Sequence, residues 1–124
     1  MADVPAVDMS ARARTPEELE TLFEDSLMIR DGAALAGLFE EGAVLVPGDA
    51  RPARGRDDIA RLVLATWDGD EIYVADPQCV TQIRGVALIV AERAISVARR
   101  GDDGAWRYAI FLLTVDVERE RLER

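Results

Sequence analysis

The order of sequence patterns predicts an α+β domain with three N-terminal helices packed on an antiparallel or mixed sheet. Three observations carry this expectation. Apolar residues recur at helical spacing through the first half of the chain, to Trp67. From Glu71 onward the period shortens and Val, Ile and Leu dominate. The segment GDDG (101–104) is a hairpin signal between two apolar runs. Helices gathered first and a meander afterwards define this layer class.

The elements follow in order. Residues 1–14 hold Pro5, small residues and mixed charge, and read as a loose arm. Thr15 suits an N-cap, Pro16 the first helical position, and Glu18 lies three residues past the cap. Leu19, Leu22, Phe23, Ser26 and Leu27 then form one helix face. Asp31-Gly32 ends the helix, and a short second one covers Ala33 to Phe39. Ala43 to Val46 reads as a strand stopped by Pro47-Gly48, and GDARPARGR as a loop. A third helix starts at Asp57 or Asp58, with the stripe Ile59, Leu62, Val63, Thr66 and Trp67. Glu71 to Arg84 alternates in part, interrupted at Asp76-Pro77. Arg84-Gly85 turns the chain, Val86 to Arg99 reads as one long strand, and Trp106 to Asp116 as the last. The expected domain is 15–117, followed by a charged tail over 118–124.

Composition narrows the chemistry. The chain has 124 residues, no histidine, no lysine and one cysteine. Imidazole bases, Schiff-base amines and Cys/His zinc clusters are thereby excluded, and neither a metal nor a cofactor is expected. Carboxylates, Cys79, Tyr73 and Tyr108 remain for proton chemistry. A net charge of −9 disfavours nucleic acid and anionic membrane as partners. A lone Cys79 forms no intrachain disulfide and fits a cytoplasmic setting. It reads as buried and inert. No apolar N-terminal segment marks a secretory signal or an anchor.

The segments LFEEGAVLVPG (Leu38 to Gly48), RGRDDI (Arg54 to Ile59) and DDGAWRY (Asp102 to Tyr108), in this order, resemble the NTF2-like superfamily, in its SnoaL-like and ketosteroid-isomerase-like branch. The resemblance covers roughly residues 16–116. It implies a strongly curved sheet wrapped around the helices as a cone. It further implies an apolar pocket open at one end and a homodimer through the outer sheet face. Members include isomerases, cyclases, dehydratases, epoxide hydrolases and non-catalytic modules, so the fold leaves function open.

Carried onto this sequence, the isomerase pattern places Phe23 at the tyrosine position, Pro47 at the base and Ser96 at the late-strand acid. None of the three keeps its chemical role. Asp49 lies two residues past Pro47, and reads either as a displaced base or as a solvated loop acid. The acid that cyclases carry on the last strand is replaced by Phe111; the next acid is Asp116.

Glu92 is the catalytic candidate. It interrupts VALIVAERAISV, and strand alternation puts it on one face with Leu88, Val90, Ala94 and Ser96. A carboxylate in an apolar cone would be shifted toward its neutral form and suited to acid–base work. The bland alternative is an ion-paired surface glutamate. The expected ligand-binding residues are Phe23, Leu27, Leu62, Val63, Trp67, Ser96, Ala109, Phe111 and Leu113, an apolar lining for a small apolar molecule. The resemblance puts the face shared by Trp106, Tyr108, Ile110 and Leu112 on the outside, where they are expected to form a two-fold contact. Arg51, Arg54 and Arg56 form a loose basic group, read as an anion site or as solvated loop arginines. Two functions remain open: a pocket protein without turnover, or an enzyme of cyclase, isomerase or hydrolase type using Glu92 as acid and base.

Overall fold

A computed structural model describes residues 12–48, 51–67 and 77–113. The first helix, α1 (Pro16–Met28), begins as its sequence dictates: the Thr15 hydroxyl accepts from the Glu18 amide at 3.0 Å, and Pro16 occupies the first turn. It ends where Arg30 adopts φ 57°, letting the Asp31 amide reach back to the Ser26 carbonyl at 2.9 Å. Asp31 then caps α2 (Gly32–Gly37) through the Ala34 amide at 3.0 Å. Phe39, expected to close the second helix, instead opens β1 (Phe39–Pro47).

GDARPARGR contains more structure than its turn-rich composition suggests. Ala53–Arg54 forms β2, paired antiparallel with Val44 and Leu45. Gly55 takes φ 89° to swing directly into α3 (Arg56–Thr66). The Arg30 guanidinium closes the far end of α3 by donating to the Leu64 and Trp67 carbonyls at 2.6 and 2.7 Å. Those carbonyls lie in the last turn of α3 and at its C-cap, where the helix has no internal donors left.

Four strands follow: β3 (Pro77–Ile83), β4 (Val86–Ala91), β5 (Ala94–Arg100) and β6 (Trp106–Leu113). Arg84-Gly85 is a two-residue turn with φ of 50° and 78°, and GDDG joins β5 to β6, both as expected. The expected long strand from Val86 to Arg99 is in fact a hairpin. Val90 faces Ile95, and Glu92-Arg93 is the turn between β4 and β5. The sheet order is β2-β1-β6-β5-β4-β3, antiparallel throughout except for β1 alongside β6. The mixed α+β architecture expected from the sequence is the one present. Ala13, from the stretch expected to be a loose arm, is buried and bridges Trp106, whose amide donates to the Ala13 carbonyl at 2.9 Å.

Candidate functional site

The face of the sheet that meets the helices is set by a bulge. Val97 faces Ile110 and Ala98 faces Tyr108, so Ala109 is an extra residue in β6. The bulge reverses the alternation. Trp106 and Tyr108 point inward before it, Phe111 inward after it, and Ile110 and Leu112 outward. The expected outer row is thus corrected at two positions. Trp106 and Tyr108 are buried within the monomer, while Ile110 and Leu112 are 43% and 37% exposed.

An aromatic cluster fills the space between α1, the end of α3 and the sheet. Phe23 stacks on Phe111, with ring centroids 5.3 Å apart and planes at 29°. It meets Trp67 edge-on at 6.2 Å, Phe39 at 6.3 Å and Tyr108 at 5.8 Å. Each such pair adds about 0.5–1.5 kcal/mol to simple burial. Phe23, Trp67 and Phe111 therefore pack together in the buried core. Leu27 and Val63 are buried in the same core, and Leu113 packs against it, half-buried. Leu62 also packs against the core but faces a separate groove on the outside of α3. Ala109 is the bulge residue, half-buried.

Of the three buried polar side chains among the described residues, Glu20, Ser26 and Ser96, two concern the site. Ser96 is 3% exposed on β5, opposite Phe111 and Ile89 and on the same face. Among the described residues its hydroxyl has no hydrogen-bond partner. Besides those two large side chains, Ala87, Ala94 and Ala98 lie near it on that face, all buried. The second group was missed by the sequence reading. Glu20 is 3% exposed on α1, and the Tyr108 hydroxyl donates a short hydrogen bond to it. Burial pushes the Glu20 carboxyl above its ordinary value; the bond from Tyr108 lowers it, and the nearby Glu24 charge raises it. Its signal was present: Pro16, Leu19, Glu20, Phe23, Ser26 and Leu27 share a helix face at regular spacing, and all are buried. Side-chain charge alone argued against including it.

Glu92 is corrected. It lies exposed in the β4–β5 turn, outside the apolar interior, so the desolvation expected of it is absent. Cys79, expected to be buried, is exposed on β3, with its sulfur 3.5 Å from the Thr81 hydroxyl. Asp49, Tyr73 and Asp116 lie outside the described residues. Among the described residues no cluster of His, Cys, Asp and Glu is placed to hold a metal ion, and no helix is long and apolar enough to cross a membrane.

No family model matches the chain, and no curated protein matches it in sequence. Solved structures do match in shape. A ketosteroid isomerase-like protein from Erwinia carotovora atroseptica SCRI1043 is 18% identical, with a TM-score of 0.61 over 77% of this chain and 89% of that one. A protein assigned as a dehydratase of the NTF2-like family from Streptomyces avermitilis is 18% identical, with a TM-score of 0.58 over 76% and 88%. A protein assigned as a calcium/calmodulin-dependent protein kinase type II association domain, from Thiobacillus denitrificans ATCC 25259, is 15% identical, with a TM-score of 0.65 over 82% and 94%. The element order, the mixed sheet and these neighbours agree: the chain has the NTF2-like fold.

Proposed function

We propose that the chain binds a small, mostly apolar molecule between α1, α3 and the inner face of β4–β6, and does so without turnover of the isomerase kind. The Ser96 hydroxyl carries this reading. A buried hydroxyl without a partner costs about 1–3 kcal/mol, and such groups are rare unless water or a ligand satisfies them. Ala87, Ala94 and Ala98 near it are small and buried, so a ligand enters there by displacing a neighbouring side chain. A ligand bearing one carbonyl or hydroxyl would accept or donate at Ser96 while its apolar body lies against Phe111 and Phe23. Phe23 and Pro47 supply no proton-transfer group where the isomerases have theirs. The exposed position of Glu92 gives the enzymatic alternative no support.

The outer sheet face supports a two-fold contact. Val86, Leu88, Ile110 and Leu112 are exposed on it, with half-buried Ile95 and Val97 between them. An apolar sheet face of this kind favours association with its own copy. One structural neighbour is assigned as an association domain. A cytoplasmic setting fits the single, unpaired and exposed thiol.

The test is native mass spectrometry of the purified chain, followed by binding of the identified compound to Ser96→Ala. The account expects a small apolar adduct. It expects affinity to fall about fivefold in the variant, the equivalent of one hydrogen bond of about 1 kcal/mol. Unchanged affinity for Ser96→Ala would remove the hydroxyl from the site.

A further inference from the structure

We infer that the groove between β2 and α3 is a second ligand site, distinct from the interior, and that it takes a small organic anion, a carboxylate or a phosphate monoester, with a short apolar tail. The groove has a volume of about 680 Å³ and is lined by Arg51, Pro52, Ala53, Arg54, Asp58, Arg61, Leu62 and Ala65. In a chain of net charge −9, three guanidinium groups at one groove make a local reversal of sign.

The arginines are not equivalent. Arg56 sits within two residues of Arg54, but its Nε donates to the Phe39 carbonyl at 2.8 Å, and it serves the fold. Arg61 is matched by Asp58 at 3.1 Å. Among the described residues Arg51 and Arg54 have no carboxylate partner. Arg54 is held in place by the backbone pairing of β2 with Val44, and by the Gly55 amide, which donates to the Ala43 carbonyl at 3.0 Å. A guanidinium on a fixed backbone, without a carboxylate partner among the described residues, is suited to bidentate capture of a carboxylate or phosphate. Pro52, Ala53, Leu62 and Ala65 supply an apolar wall for the tail.

Charge alone does not select one anion class. Asp58 and the negative whole-chain field repel a dianion about twice as strongly as a monoanion, and Arg51 and Arg54 attract it about twice as strongly. The shared chemistry is an anionic oxygen group on a short apolar tail.

The test is a titration of the full-length chain with hexanoate, hexan-1-ol and hexyl phosphate, followed by arginine Nε–Hε and backbone amide resonances. Hexanoate is expected to shift the Arg54 Nε–Hε signal and the amides of Ala53 and Leu62 saturably. Hexan-1-ol should bind about tenfold more weakly or worse, since it lacks the charge-assisted bonds. Hexyl phosphate should shift the same signals saturably. The double variant Arg51→Gln, Arg54→Gln should keep the amide spectrum of the fold and lose the hexanoate response about tenfold. Equal binding of the alcohol, an unchanged response in the double variant, or shifts confined to Ser96 and Phe111 would each overturn the assignment. The last result would point to the interior site alone.

Discussion

The Tyr108 hydroxyl on β6 donates to the carboxylate of Glu20 on α1, joining residues 88 positions apart across the interface between helix and sheet. Both side chains are buried, and the Phe23, Phe39 and Phe111 rings surround the tyrosine. An acid in that setting favours its neutral form, and it ties the register of β6 to the rotation of α1.

Replacing Glu20 with Gln tests the acid directly. The folded-state carboxyl lies above its ordinary value of 4.5, so folding takes up a proton over that interval. Stability from this group is fully present below the ordinary value and is lost as pH rises through the folded value. Glu20→Gln abolishes that loss. Chemical denaturation across pH should therefore show the variant gaining on the wild type as pH rises from 4.5, with the difference levelling off above the folded value. A difference independent of pH would place the carboxyl in an ordinary, solvated state.

Tyr108→Phe removes the donor and keeps the ring. The cost should be about 1–3 kcal/mol, because a buried carboxyl loses its partner. It should grow with pH, since the lost bond favours the ionised acid. Urea midpoints at two pH values check the trend; a cost that shrinks with pH would contradict it.

Much of this arrangement was legible in the sequence, and its gaps have physical causes. The N-cap at Thr15, the turn at Arg84-Gly85 and the GDDG hairpin were readable because each rests on local chemistry. Tyr108 was assigned to the wrong face because alternation assumes an unbroken strand, and the Ala109 bulge inserts one residue without a Gly or Pro to announce it. Glu92-Arg93 was read as strand for a related reason: the turn is flanked by alanines and carries no turn residue. β2 was hidden inside a Pro- and Gly-rich loop because two residues suffice to pair with β1. Phe23, Trp67, Ser96 and Phe111 were placed correctly inside because their periodicity survives on either side of these breaks.

Arg30 combines a cap with backbone strain, and two substitutions separate them. Arg30→Ala loses the bonds to Leu64 and Trp67 but keeps a side chain at φ 57°. Arg30→Gly loses the same bonds and relieves that strain, which is worth about 1 kcal/mol. Both should be destabilised, Ala by about 1–2 kcal/mol, and Gly by about 1 kcal/mol less than Ala. Thermal unfolding of the pair checks the order; a reversed order would argue against strain at this position.

The outer face predicts the oligomeric state. Sedimentation velocity should show the wild type as a dimer and Ile110→Asp as a folded monomer, because a charge would sit in the centre of an apolar contact. A wild type that remains monomeric at every concentration contradicts the two-fold contact.

Binding of a small molecule beside Ser96 is tested most directly by a high-resolution crystal structure of the chain as purified. The account predicts density for a small molecule against Phe111 and Phe23, with a polar atom within hydrogen-bond distance of the Ser96 Oγ. An Oγ bonded to a main-chain carbonyl, with protein side chains filling the volume around it, would contradict the account.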